Sequence, residues 1–266
     1  MKLLDGKELA GFIKERQAKD VRRLKASKIF PKLAIVQVKD DPVINTYVRL
    51  KKKYGADIGI GVELHAPEQK DVPKLLNRLS NDKSVHGIIV QLPLSDPSQT
   101  DEIVNMVAPE KDVDALGKNA RFEPATPMAI LWLLHGYNIE LADKHILLIG
   151  RGKLVGAPLE KILKSSGYSI EVIDRDVKNL AEHTKRADII ITATGSPAIL
   201  YPAMIKRGAV VVDAGVASEE GKTVGDLSPE VYKRDDLTVT PEKGGVGPLT
   251  VCALFENVIR AAKSEC

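Results

Sequence analysis

The chain has 266 residues, 44% of them hydrophobic and 28% charged, a size for one large domain or two modest ones and a composition that excludes long disorder. Its 39 Lys and Arg against 36 Asp and Glu leave a net charge of +3 with both signs scattered along the whole length, so neither a nucleic-acid nor a membrane partner is expected. Two cysteines, Cys252 and Cys266, are too few for a disulfide framework, and no apolar run resembles a signal peptide or a membrane span, which leads us to expect a soluble, cytoplasmic protein.

In chain order, Leu9, Phe12, Ile13, Val21 and Leu24 recur at helical spacing, and a buried strand follows over 33–38. Asp40, Asp41 and Pro42 close that strand, and a helix is expected to begin near Asn45. Val72, Leu75, Leu76 and Leu79 mark another helix, and 85–90 a second strand that ends in Gln91. Thr126 before Pro127 reads as a helix N-cap with proline at the first helical position, continued by the apolar run 128–135. Further strands are expected over 145–149, 169–173, 188–192 and 209–213, with helices over 157–165 and 251–262. Continuous Val/Ile runs alternating with amphipathic helices predict an α/β fold with parallel sheets covered on both faces. Two lobes are expected, 1–122 and a Rossmann-like lobe over 123–249, with the last helix, 250–266, packing back on the first.

The turn Gly150-Arg151-Gly152-Lys153-Leu154-Val155-Gly156 lies between a predicted strand and a predicted helix. Glycines there permit a tight turn, let backbone approach a pyrophosphate and aim the helix N-terminus at its charge. The spacing is GxGxxxG rather than GxGxxG, and an ordinary strand-to-helix turn is the alternative reading. Asp174 ends the next strand, where an acid accepts the ribose 2′-hydroxyl of NAD and repels the 2′-phosphate of NADP. Arg175 follows it directly, and Arg151 and Lys178 are placed to offset a phosphate; solvated loop charges are the alternative. Thr194 and Gly195, after the strand 188–192, are counted with Val155 among the cofactor-binding residues.

Tyr47 and Lys51 are four apart, on one helical face. A lysine beside a tyrosine in a dry cleft has a lowered pKa and moves protons, although the same spacing suits a surface pair. Gln91 enters Leu92-Pro93-Leu94 at the carboxyl edge of its strand, the edge where open α/β sheets bind ligands; a loop amide is the alternative.

Six blocks occur in one order: Tyr47-Val-Arg-Leu-Lys51, Gly87-Ile-Ile-Val-Gln91-Leu-Pro-Leu94, Pro109-Glu-Lys-Asp-Val-Asp114, Pro124-Ala-Thr-Pro127, the glycine turn, and Gly244-Gly245-Val-Gly-Pro248-Leu-Thr250. Together they resemble the bifunctional methylenetetrahydrofolate dehydrogenase/methenyltetrahydrofolate cyclohydrolase family over nearly the whole chain. The resemblance implies a homodimer with a folate-binding lobe and a nucleotide-binding lobe. It implies oxidation of 5,10-methylenetetrahydrofolate by a nicotinamide cofactor, then hydrolysis of the cationic methenyl product to 10-formyltetrahydrofolate. By position, Lys51 resembles the catalytic lysine, Tyr47 its partner near the substrate, Gln91 the amide that tunes the lysine, and Asp114 the aspartate that holds the pterin. Gly244, Gly245 and Pro248 resemble a loop that closes on cofactor and folate, with Thr250 starting the last helix. The family usually uses NADP, and with Arg151, Arg175 and Lys178 near the expected 2′-phosphate the sequence leans to NADP, with NAD as the alternative.

The chain departs from the family pattern at several places. Ile44 stands where a serine is frequent, Ala115 for the glycine after Asp114, Ala125 for a cysteine, Gly152 for a serine, and Glu242-Lys243 for a Val-Pro pair. The stretch between Asp114 and Pro124 is also short. His65, His86, His135, His145 and His183 show no metal-ligand spacing, and Cys252 reads as core. The competing readings are a two-lobe dehydrogenase of shikimate type, against which the 91–94 and 244–248 blocks stand, and a non-catalytic folate- or nucleotide-binding protein, against which the Tyr47, Lys51 and Gln91 set stands.

Overall fold

A computed structural model describes residues 1–215, 217–219 and 222–264; Cys266 lies outside the described residues. The front half of the chain forms β1 (Lys2–Leu3), α1 (Gly6–Ala26), β2 (Lys32–Gln37), α2 (Pro42–Ile58), β3 (Gly61–His65), α3 (Val72–Asn81), β4 (Gly87–Gln91) and α4 (Thr100–Val104). The rest forms α5 (Ala125–Gly136), β5 (Ile146–Ile149), α6 (Gly156–Ser165), β6 (Ile170–Ile173), α7 (Leu180–Thr184), β7 (Ile189–Thr192), β8 (Val210–Asp213), β9 (Ala217–Glu219), β10 (Lys222–Val224), β11 (Thr238–Val239) and α8 (Val246–Lys263). No helix among the described residues is long and apolar enough to cross a membrane.

Two compact units result: one contains 11–125 and the chain from 251 onward, the other 1–10 and 126–250. The first holds a parallel sheet ordered β3–β2–β4. Ala34, Val36, Ile88 and Val90 of that sheet pack with Leu76 and Leu79 of α3 and Ile103 of α4. Burying each large aliphatic side chain contributes ~1.5–3 kcal/mol, so this face anchors the sheet while the ends of its strands remain available for polar groups. On α2, Asp41 accepts from the amides of Val43 and Ile44 at 2.9 and 3.3 Å, and Pro42 occupies the first turn. That cap starts the helix at Pro42, three residues earlier than the predicted Asn45.

The second unit holds a six-stranded parallel sheet ordered β1–β11–β8–β7–β5–β6, with the β9–β10 hairpin beside it in sequence. Its core gathers Leu147, Ile149, Ile190, Val211 and Val239. The first ten residues belong here and not to the front lobe expected from the sequence. The amides of Lys2 and Leu4 donate to the carbonyls of Leu237 and Val239, both at 2.9 Å, adding β1 at the sheet's edge. A two-residue strand has no periodicity to read.

Candidate functional site

In the unit that holds residues 11–125, α2 and β4 position the predicted catalytic residues. Gln91 ends β4 in register with Gln37 at the end of β2, and Lys51 lies on α2. Nζ of Lys51 donates to Oε1 of Gln91 at 2.8 Å. The amide's own Nε2 donates to the Leu92 carbonyl at 3.2 Å, which leaves the oxygen turned to the lysine. Burial lowers the Lys51 pKa below its usual value, and the negative charge of Asp114 pulls it partly back. Burial in turn raises the Asp114 carboxyl, opposed by the Lys51 charge. Tyr47, one helical turn before Lys51, is 36% exposed, so it has a free face to offer a ligand. Ile44 is buried in place of a polar side chain.

Asp114 is carried by a segment built against β4. The Ile88 amide donates to the Lys111 carbonyl at 2.7 Å, and Val113 sits tightly against Gly87. Asp112 closes the next turn by accepting from the amides of Gly117 at 2.7 Å and Leu116 at 3.4 Å. Ala115 adopts φ 55 within that turn, the left-handed region, so the hydrogen bonds to Asp112 hold a residue other than glycine there. Burial pushes the Asp112 carboxyl up to about 6, and the charge of Asp114 adds to the rise. Buried Asn257 of α8 fastens the segment from behind, donating to the carbonyls of Val113 and Glu123, both at 2.9 Å.

In the other unit the glycine turn joins β5 to α6. Gly150 has φ 94, and a Cβ there would come within 2.7 Å of the Ala193 carbonyl oxygen; a Cβ on Gly156 would come within 2.0 Å of the Gly150 carbonyl oxygen. Both positions therefore require glycine, whereas Gly152 faces open space. Val155 precedes the first residue of α6. A cavity of about 720 Å³ opens at this turn, lined by Gly150, Arg151 and Gly152 on one side, Asp174 and Arg175 after β6, and Thr194 after β7. Lys178 is not part of that lining. Its size, its bare backbone and its place at the carboxyl ends of parallel strands fit the adenosine and pyrophosphate of a dinucleotide.

Arg151 does not stand free in this cavity. Its Nε and Nη2 donate to the carboxylate of Glu160 at 2.6 and 3.3 Å, and Lys164 donates to the same carboxylate at 2.7 Å. Arg175 donates from Nη1 to Oγ of Ser196 at 2.8 Å and lies 3.7 Å from the Asp176 carboxylate. The loop with Thr194 and Gly195 hangs on Asp226, whose carboxylate accepts from the amides of Thr194 at 2.8 Å and Ser196 at 3.1 Å. Asp213, raised by burial, accepts in turn from the Asp226 and Leu227 amides, both at 3.1 Å.

The 244–248 block differs from its sequence reading. The Gly244 carbonyl accepts from the Lys7 amide at 3.0 Å, and Gly245 lies so close to Gly6 that a Cβ on Gly6 would meet its carbonyl oxygen at 1.8 Å. α8 begins at Val246, so Pro248 sits inside the helix rather than in a loop that ends at Thr250. Proline is accommodated there because the amides of a first helical turn have no partner within the helix. Likewise α5 begins at Ala125, one residue before the predicted cap Thr126.

Glu160, Asp226, Asp112 and Gln37 escaped the sequence reading. Glu160 had a signal, its i,i+4 spacing to Lys164. Asp226, 32 residues from Thr194, had none. Gln37 is buried, donates to the Lys39 carbonyl at 2.9 Å and to Asn45 at 2.7 Å, and keeps its Oε1 without a donor. Of the histidines, His145 and His183 both engage Glu171, His145 at 2.7 Å. Cys252 is buried, its Sγ 3.1 Å from the Tyr54 hydroxyl.

Residues 4–114 match the catalytic domain of tetrahydrofolate dehydrogenase/cyclohydrolase, and residues 124–266 match its NAD(P)-binding domain. The Bifunctional protein FolD of Campylobacter jejuni is 38% identical over 280 residues, spanning 100% of this chain and 99% of its own. The crystal structure of the bifunctional enzyme FolD, methylenetetrahydrofolate dehydrogenase/cyclohydrolase, from C. jejuni superposes with a TM-score of 0.94 at 37% identity over 100% of both chains. The Trypanosoma brucei N5,N10-methylenetetrahydrofolate dehydrogenase-cyclohydrolase, complexed with NADP cofactor and inhibitor, gives 0.92 at 28% identity over 99% of this chain and 97% of that one. A shikimate 5-dehydrogenase from Thermus thermophilus shares the fold alone, at TM-score 0.54 and 14% identity over 88% of this chain and 98% of its own.

Proposed function

The chain belongs to the tetrahydrofolate dehydrogenase/cyclohydrolase family, and from that premise we propose that Lys51, with Gln91 and Asp114 beside it, carries the hydrolytic half of its chemistry. The chain is a bifunctional enzyme that oxidises 5,10-methylenetetrahydrofolate to the methenyl form and hydrolyses that product to 10-formyltetrahydrofolate. When bound, the nicotinamide cofactor supplies the acceptor for the hydride that leaves the methylene bridge.

The observation that carries the assignment is a lysine with a pKa lowered by burial, held at 2.8 Å by a glutamine oxygen. A neutral amine donates one N–H to Gln91 and keeps its lone pair for the proton of an attacking water. A charged ammonium would have no lone pair and would repel the cationic methenyl substrate. Gln91 thus fixes where the amine points, and Tyr47, on the same helical face, supplies a flat surface for the folate. Asp114 offers a carboxylate to the N–H donors of the pterin while tempering the fall of the Lys51 pKa. We assign Gly244, Gly245 and Pro248 to substrate closure on the family resemblance, and the 150–156 turn with Asp174, Arg175, Thr194 and Gly195 to the dinucleotide. The dinucleotide is NADP or NAD, and the charges beside the glycine turn decide between them. A cytoplasmic homodimer completes the reading, on the same resemblance and the low cysteine count; sedimentation tests the dimer.

The test is an absorbance assay on purified protein with methylenetetrahydrofolate and each nicotinamide dinucleotide. Formation and then decay of the methenyl species is expected. No methenyl formation with either dinucleotide overturns the dehydrogenase assignment, and decay no faster than in buffer alone overturns the cyclohydrolase assignment.

A further inference from the structure

Three carboxylates and three cations meet where β6 ends: Glu160, Asp174 and Asp176 with Arg151, Lys164 and Arg175. Glu160 is the buried member, 7% exposed, and a buried carboxylate persists as an anion only when it is paired. It is paired twice, by the Nε and Nη2 fork of Arg151 and by Lys164. These hydrogen bonds keep its carboxyl below the usual range, so it is ionised at neutral pH.

A planar guanidinium recognises a phosphate best through two parallel N–H bonds. Glu160 already occupies one such fork of Arg151. Arg175 is drawn towards Ser196 and Asp176. Asp174, in contrast, is exposed at the end of β6, where a carboxylate accepts the ribose hydroxyls of a dinucleotide that lacks the 2′-phosphate. A 2′-phosphate placed here would meet Asp174 and Asp176, with the Arg151 fork taken by Glu160 and Arg175 drawn to Ser196 and Asp176.

We infer that Glu160 sets the choice of dinucleotide: by engaging Arg151 it withholds the cation a 2′-phosphate needs, leaves Asp174 to take the ribose hydroxyls, and so favours NAD over NADP. This rests on the dinucleotide reading of the glycine-turn cavity and reverses the lean to NADP drawn from the cations alone. Glu160 acts through Arg151 and is a positioning residue.

Calorimetric titration of the folate-free protein with NAD⁺ and with NADP⁺, which differ only in the 2′-phosphate, tests it without relying on turnover. The wild type is expected to bind NAD⁺ more tightly. Glu160→Gln keeps the shape but removes the charge, and NADP⁺ should gain about tenfold or more relative to NAD⁺ as Arg151 is released, the size of a charge-assisted hydrogen bond. Asp174→Ser should move the same ratio in the same direction, through lost repulsion and a weakened NAD⁺ complex, and serves if Glu160→Gln does not fold. Tighter NADP⁺ binding by the wild type, or a ratio that Glu160→Gln leaves unmoved in a folded protein, overturns the inference while the dinucleotide reading stands. Binding of neither dinucleotide overturns both.

Discussion

Around Lys51 the ionisable groups are few and half-buried, whereas six charged side chains gather around the end of β6, near the glycine turn. In the first region burial lowers a lysine and raises an aspartate, and each charge partly restores the other. In the second, Arg151, Lys164 and Arg175 lie against carboxylates, and Gly150 and Gly156 are packed so closely on neighbouring backbone that neither has room for a side chain. The difference follows from the task. Proton transfer near neutral pH needs an amine whose ammonium form is made costly by lost solvent, while holding a pyrophosphate needs donors whose charge is fixed and whose surroundings set which anion is welcome.

The comparison breaks most sharply at Lys51. Lys51→Met retains length and apolar bulk and removes the amine, so methenyltetrahydrofolate hydrolysis should fall by roughly 10²–10⁴-fold, the usual worth of general acid–base help. Methenyl absorbance should then accumulate during dehydrogenase turnover, because hydride transfer depends mainly on orientation. Hydrolysis at the wild-type rate in identical buffer would remove Lys51 from the mechanism.

Asp114→Asn should weaken folate binding by roughly 1.5–3 kcal/mol, the loss of a charge-assisted hydrogen bond, and leave dinucleotide binding unchanged. An unaltered folate affinity would falsify the pterin assignment.

The same variant sharpens the electrostatic side of the comparison. Hydrolysis should rise with pH as Lys51 loses its proton, and because burial lowers that pKa the rise should come at lower pH than an ordinary lysine would give. Asp114 raises the Lys51 pKa, so its replacement by Asn should move the rise to still lower pH. A move to higher pH would show that the two groups do not interact as their burial and charges require.

The smallest effect is expected in the dinucleotide unit. Asp226→Asn keeps one acceptor oxygen of two, so one of the amide hydrogen bonds from Thr194 and Ser196 is lost. At ~0.5–1.5 kcal/mol this should raise the dinucleotide KM a few-fold and leave the folate KM alone. Equal changes in both would make Asp226 a general stability residue.

Much of this architecture is legible in the order of the residues. The strands β2, β4, β5, β6, β7 and β8 are Val/Ile-rich runs whose bounds fall within about two residues of the predicted ones, since buried parallel strands need continuous apolar stretches. β1, β9, β10 and β11 are two or three residues long and carry no period, and β3 offers only Val62 and Leu64 on one face, with Leu64 exposed, in place of a continuous apolar run. Tyr47, Lys51 and Gln91 are legible as spacing and strand-end position, and the family blocks assign them roles.

By itself the sequence determined the α/β class, the family, the glycine turn and the residues to test, because each rests on local pattern or on ordered motifs. Tertiary structure decided that residues 1–10 join the unit of the six-stranded sheet, with Lys2 and Leu3 as its edge strand, that Nζ of Lys51 meets the oxygen of Gln91, and that Arg151 belongs to Glu160. Each of those outcomes depends on which side chains are brought within hydrogen-bond reach after the chain has folded back, and on how much water remains around them. Charge counted along a sequence cannot tell a guanidinium waiting for a phosphate from one already matched by a buried carboxylate.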